Sequence, residues 1–202
     1  ELRPLQKTII DQVLRKAPTL AVIPTGGGKS LCYQLPALLM DGLTVVVSPL
    51  IALMQDQVEQ LQALGVAAAF LNSTLTYAAQ RMLHGQLRQG TIKLLYVAPE
   101  TLVKPDLLAL LDECRVACVA VDEAHCISEW GHDFRPEYRQ LARLRDTFPG
   151  VSLHAFTATA TARVRRDIAE QLALASPTEL VGSFDRPNLT YRVLPRQSLK
   201  TQ

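Results

Sequence analysis

The feature that most constrains this chain is the run Ile23-Pro24-Thr25-Gly26-Gly27-Gly28-Lys29-Ser30, which follows a short apolar stretch and precedes a helical one. Three successive glycines let backbone N–H groups turn inward around phosphate oxygens, with no Cβ in the way. The helix beyond them points its positive end at the same spot. Lys29 is placed to reach the β- and γ-phosphates of a nucleotide, and the Ser30 hydroxyl to ligate Mg²⁺. Thr25, Gly26, Gly27, Gly28, Lys29 and Ser30 are therefore the candidate cofactor-binding residues, with ATP and Mg²⁺ as cofactors. The usual pattern opens with Gly or Ala, whereas this one opens with Ile23.

Such a loop needs a strand before it and a helix after it, and the rest of the chain repeats that alternation. Candidate strands at 19–23, 43–47, 66–71, 92–97, 116–121 and 151–156 are rich in Val, Ile, Leu and Ala without polar alternation. That is the pattern of strands buried on both faces. Between them, 30–40, 50–64, 77–89, 104–111, 137–147 and 162–174 have helical length and period. The expected fold is α/β, a mainly parallel β-sheet with helices on both faces. Ligands in such folds sit at the carboxyl ends of the strands, where all of these motifs fall.

Composition permits this and narrows the alternatives. The chain has 202 residues, 48% of them hydrophobic, and a formal net charge of +2. Bulk charge does not announce a nucleic-acid binder, so any such contact must come from a local groove. Cys114 and Cys118 are four apart, but no second pair or paired histidines follow at zinc-site spacing. With Cys32 and Cys126 they read as buried thiols of a cytoplasmic protein. No apolar run approaches the ~18 residues of a membrane span, and nothing at the N-terminus looks like a targeting signal.

A second site is legible where the apolar run 116–121 ends in Asp122-Glu123-Ala124-His125. A carboxylate at a strand tip beside a phosphate loop suits Mg²⁺. Asp122 is thus the metal-side candidate with Ser30. Glu123 is the candidate base that orients and deprotonates an attacking water.

Taken together these residues resemble superfamily 2 helicases, and specifically the RecQ family. The pieces occur in order: Arg3-Pro4-Leu5-Gln6; Pro24 to Ser30; Ser48-Pro49-Leu50 with Gln55-Asp56-Gln57; Asn72-Ser73-Thr74; Ala98-Pro99-Glu100; Asp122 to His125; and Phe156-Thr157-Ala158-Thr159-Ala160-Thr161. The run Cys126-Ile127-Ser128-Glu129-Trp130-Gly131-His132-Asp133-Phe134-Arg135-Pro136-Glu137-Tyr138 is the most specific, since generic DEAD/DEAH helicases lack it.

The resemblance implies a RecA-like P-loop domain over 1–184, with 185–202 a linker and the start of a second RecA-like lobe. A boundary at Phe184 to Asn188 and an unpartnered strand at 189–194 fit that division. It implies that Gln6 and Arg3 contact adenine, and that His125 joins Lys29, Asp122 and Glu123 in catalysis. It implies that Trp130, His132, Phe134 and Arg135 sense single-stranded DNA and that Thr157 and Thr159 couple phosphate chemistry to DNA movement. Aromatic side chains that face solvent gain ~1–3 kcal/mol per stacked base, and Arg135 adds charge. Ser48, Asn72, Ser73 and Thr74 can hold DNA phosphates without sequence preference, with Thr101 nearby; each alone is more often a helix cap, and it is as a set along one sheet edge that they make a strand-tracking groove.

The expected activity is that of the ATP-binding lobe of a 3′→5′ DNA helicase of repair and recombination. Its partners would be single-stranded and partly duplex DNA, the second lobe, and a single-stranded-DNA-binding protein reached through other domains. No membrane partner is expected. The alternatives are an RNA helicase lobe, which would demand a 2′-hydroxyl, and a non-catalytic DNA-binding lobe with a vestigial nucleotide pocket.

Overall fold

The computed structural model describes residues 1–185 together with 189, 190 and 192. The expected strand at 189–194 falls mostly outside them. The strands are β1 (Thr19–Val22), β2 (Leu43–Val47), β3 (Ala68–Leu71), β4 (Leu94–Val97), β5 (Val116–Val121), β6 (Ser152–Thr157) and β7 (Thr178–Val181). They form one sheet in the order β3-β4-β2-β5-β6-β1-β7, with every pairing parallel. All carboxyl ends therefore lie along one edge, and crossover helices must cover both faces.

Successive strand residues feed opposite cores, as pleating requires. Ala21, Val46, Ala120 and Phe156 pack with helices α1 (Pro4–Leu14), α2 (Leu31–Leu39) and α3 (Ile51–Ala63). Leu20, Val45, Val47, Val119, Val121 and Ala155 pack on the other face. There they meet α4 (Tyr77–Arg88), α5 (Pro99–Leu102), α6 (Pro105–Asp112), α7 (Pro136–Arg139), α8 (Leu144–Thr147) and α9 (Ala162–Gln171).

Helices α1 and α5 lie outside the helical stretches read from the sequence, and two further elements differ. The single helix expected over 137–147 is broken into α7, a 3₁₀ turn (Gln140–Arg143) and α8. Its buried residues Tyr138, Leu141 and Leu144 are spaced by three, the repeat at which 3₁₀ side chains eclipse and face one way. Strand β7 was not anticipated. Thr178-Glu179-Leu180-Val181 is a short, exposed edge strand beside β1, so its composition lacks the buried-strand signature. No helix among the described residues is long and apolar enough to cross a membrane.

Candidate active site and its coupling loop

The phosphate loop leaves β1 and enters α2 with Ser30 as N-cap. Gly26 and Gly28 adopt φ of +78° and +76°, a region that L-side chains disfavour. Gly27 is excluded from substitution by space: a Cβ there would lie 2.4 Å from Ile23 Cγ2 and 2.7 Å from the Pro24 carbonyl. The bulk of Ile23 is thus accommodated because the loop beside it carries no side chain. The Ser30 hydroxyl is not spent on capping α2.

Helix α1 braces this loop from outside. Gln6 Nε2 donates to the carbonyl oxygens of Gly27 (3.0 Å) and Gly28 (3.4 Å), while its Oε1 accepts from the Arg3 backbone N–H at 2.9 Å. Arg3 Nη1 lies 3.5 Å from the Gly26 carbonyl. Arg3, Gln6, Pro24, Thr25 and Gly26 line a cavity of about 400 Å³, closed on its far side by Gly182, Ser183 and Asp185. The last three follow β7, so the missed strand also supplies one wall of the candidate base pocket. The volume falls in the range of small-ligand sites.

The carboxylates arrive from β5. Lys29 Nζ lies 2.9 Å from Asp122 Oδ1 and 2.5 Å from Glu123 Oε1. Burial opposes the charge of Lys29, but Asp122 and Glu123 outweigh it and raise its pKa. Asp122 is 1% exposed. Its Oδ1 accepts from the Glu123 N–H at 2.9 Å, and its Oδ2 lies 3.1 Å from the Tyr33 hydroxyl. That hydroxyl is also 3.1 Å from Gln57 Oε1, and Gln34 joins Gln57 to Tyr96. Tyr33, Gln34 and Tyr96 were not anticipated. Tyr33 follows Lys29 by four residues, about one helical turn, which offers a signal that could have found it.

Glu123 sits at φ 47°, ψ 42°, a left-handed conformation that costs a non-glycine residue ~1–2 kcal/mol. The strained turn starts the 3₁₀ segment Ala124–Ile127 and aims His125 sideways. His125 Nδ1 is 2.9 Å from Thr157 Oγ1 and 3.3 Å from Glu123 Oε2. Burial, ahead of the opposing Glu123 charge, lowers the His125 pKa, which favours the neutral ring. Thr157 Oγ1 in turn donates to the Thr159 carbonyl at 3.1 Å.

The segment after His125 packs against this chain of contacts. His132 stacks on His125 with ring centroids 4.3 Å apart. Arg135 pairs with Asp133 and donates to the Pro49 carbonyl at 3.3 Å, next to Ser48. Phe134 is half-buried under Arg139. Trp130 is 59% exposed and lies under the guanidinium of Arg163, 3.2 Å from its ring centroid. Tyr138, by contrast, is wholly buried and donates to the Asp122 carbonyl at 3.0 Å. It is an anchor of the loop rather than part of its open face. A cavity of about 400 Å³ separates Trp130 and His132 from Thr159 and Thr161.

The polar residues along the strand ends divide in two. Ser73 and Thr74 are exposed, whereas Ser48 and Asn72 are buried, as is Thr101. Asn72 Oδ1 accepts from Thr74 N–H at 2.9 Å and from Thr74 Oγ1 at 2.7 Å. Asn72 thus shapes the turn, and Ser73 and Thr74 present its surface.

A model of the DEAD/DEAH box helicases matches residues 3–168. The chain belongs to that family. Among its relatives, this helicase domain is 50% identical over 191 residues to the ATP-dependent DNA helicase RecQ of Pasteurella multocida, covering 95% of this chain and 30% of that one. It is 46% identical over 178 residues to RecQ of Bacillus subtilis, covering 87% and 30%. It therefore spans about 30% of the length of these relatives. Among solved structures, the DUF1998 helicase MrfA bound to DNA superposes with a TM-score of 0.70 at 18% identity, over 90% of this chain and 27% of that one. A hypothetical ATP-dependent RNA helicase from Sulfolobus tokodaii gives 0.69 at 18% identity, over 90% and 53%. At that identity the likeness speaks for the RecA-like helicase fold.

Proposed function

We propose that this domain is the ATP-binding lobe of a RecQ-type 3′→5′ DNA helicase, in which ATP hydrolysis is coupled to movement along single-stranded DNA. The observation that carries the reading is the continuous contact path from the carboxylates to the aromatic loop: Glu123 to His125, and His125 to both Thr157 and His132. A generic nucleotide-binding lobe needs the carboxylates but has no use for such a path. Trp130, exposed at its far end, offers a stacking face, and Arg135 and Arg163 offer charge.

The loop suits a phosphate cradle, since Gly26 and Gly28 hold φ of +78° and +76°, a backbone that glycine adopts without strain, and Gly27 packs against Ile23 and Pro24 where a Cβ would not fit. Asp122 and Ser30 are the residues that would hold Mg²⁺, which would neutralise phosphate charge. Lys29 now serves as counter-ion to both carboxylates; phosphate competes with them for it. Moving Lys29 to phosphate releases Glu123 to accept a proton from the attacking water. Completing the site requires an arginine from an opposing lobe, a contribution of ~10³–10⁵ in rate in related enzymes. The contact path favours a DNA motor over a vestigial pocket, because coupling is of no use without hydrolysis.

The test is strand displacement by the whole protein on a duplex with a 3′ single-stranded tail. Unwinding is expected with ATP and absent with a non-hydrolysable analogue or in Lys29→Ala. Unwinding that persists with the analogue would defeat the reading.

A further inference from the structure

The Cys126 side chain lies between His125 of the carboxylate turn and Asp133 of the loop beyond it. Its Sγ is 3.8 Å from His125 Nε2 and 3.7 Å from Asp133 Oδ2. One ligand atom of each of His125, Cys126 and Asp133 lies within 4.8 Å of the others. A tetrahedral zinc ion with Zn–S near 2.3 Å and Zn–N or Zn–O near 2.0 Å sets neighbouring ligand atoms about 3.5 Å apart. Two of the three edges are thus close to the required length, and the third closes by a small movement of Asp133, whose side chain is 48% exposed.

The surroundings also suit a metal. The other ring nitrogen of His125 faces Thr157 Oγ1 and Glu123 Oε2. That is the hydrogen-bonded outer shell that fixes a ligating imidazole, with its Nε2 lone pair directed to the ion. The mixed sulfur, nitrogen and oxygen set matches Zn²⁺ or Co²⁺ better than Mg²⁺ or Ca²⁺, which prefer oxygen alone.

We propose that His125, Cys126 and Asp133 form a site for a thiophilic divalent cation, Zn²⁺ being the natural occupant, with an exchangeable water as fourth ligand. Binding releases the thiol proton to solvent and places the ion on Asp133 Oδ2, which now accepts from Arg135 at 3.2 Å. The ion joins the aromatic loop to the residue that contacts Glu123, and so acts as a brake on their relative movement. The site itself rests on the geometry; the brake rests on the coupling role proposed above.

The spacing rules for zinc motifs miss this arrangement, because two ligands are adjacent in sequence and the third comes from the returning loop. Cys114 is only partly buried and is the competing thiol, so measurements use Cys114→Ser as background. Co²⁺ is added to this chain and thiolate-to-cobalt charge-transfer absorption is followed. One equivalent of thiolate-bound Co²⁺ is expected. Cys126→Ser should remove the band, and Asp133→Asn, which loses a direct ligand, should weaken affinity by more than the ~10–100-fold seen when a site loses an outer-shell partner. Melting curves verify that both variants fold, and Asp133→Asn, at an accessible side chain, keeps the test open if Cys126→Ser does not. A band that survives Cys126→Ser, or no band at millimolar Co²⁺, overturns the site. In the whole protein, Zn²⁺ should lower DNA-stimulated ATP hydrolysis in the wild type and not in Cys126→Ser. Co²⁺ binding with equal Zn²⁺ responses in the two proteins overturns the brake. Absence of any ATP hydrolysis in whole protein stripped of Zn²⁺ and supplied with ATP, Mg²⁺ and single-stranded DNA would instead count against the helicase reading, while cobalt binding by this chain still decides the site.

Discussion

His125 Nδ1 lies 2.9 Å from Thr157 Oγ1, a contact that joins the carboxyl end of β5 to that of β6. Its neighbours are Glu123 on one side and His132 on the other. A displacement of His132 would therefore reach, through His125, the carboxylate proposed to activate water. Coupling in this sense requires an element that both ligands bias, and the turn from Asp122 to His132 is the element proposed for it.

Lys29→Ala should reduce ATP turnover by the whole protein by about 10²-fold or more, the cost of deleting one strong transition-state donor. It should also destabilise the ligand-free domain, because Asp122 and Glu123 would be left facing each other without their cation. Breaking a buried pair in this way costs ~3–5 kcal/mol, a figure reduced here because Lys29 and Glu123 are partly exposed. Turnover assays and thermal melting measure the two effects. Normal turnover in a folded variant would refute the assignment of Lys29.

Glu123 combines the proposed chemical role with a strained backbone, and substitutions can separate them. Glu123→Gln keeps the shape but cannot accept a proton, so nucleotide should bind while hydrolysis stalls. Glu123→Gly and Glu123→Ala lose the same carboxylate, yet only glycine relieves the φ of 47°. The glycine variant should be more stable than the alanine variant by ~1 kcal/mol. Equal melting temperatures would show that the turn relaxes at no cost once the side chain is gone.

Acid sensitivity should arise from His154, in the middle of the sheet. It is wholly buried, and neither ring nitrogen has a partner. Burial first, and Arg145 second, lower its pKa to about 4. The unfolded chain takes up this proton near pH 6.5, so the stability due to a neutral His154 is complete above that pH. It is lost as pH falls from 6.5 towards 4, a total of about 3 kcal/mol. His154→Leu should flatten this limb. Urea unfolding at pH 7 and pH 5 should show the wild type losing about 2 kcal/mol more than the variant. Identical losses would place the acid-labile group elsewhere.

The parallel sheet, the phosphate loop and the carboxylate turn were legible in the sequence because each has a local cause. Buried strands are continuously apolar, glycines permit the loop, and Asp122 ends an apolar run abruptly. What was not legible depends on tertiary contact. The edge strand β7 has no buried pattern to read, and the wall it lends to the base pocket followed it out of view. Tyr138 and Trp130 look alike in sequence, yet one is buried against Asp122 and the other is open under Arg163. Asn72 and Ser73 are adjacent, but only Ser73 reaches the surface.

The most direct test of the coupling is the ATP hydrolysis rate of the whole protein against single-stranded DNA concentration, for wild type and Trp130→Ala. Removing Trp130 takes away the exposed stacking face and its contact with Arg163 but leaves Lys29, Asp122 and Glu123 in place. The account predicts basal hydrolysis within a few-fold of wild type, a lost or strongly flattened response to DNA, and no unwinding. A variant that melts at lower temperature but retains normal stimulation by DNA would contradict it.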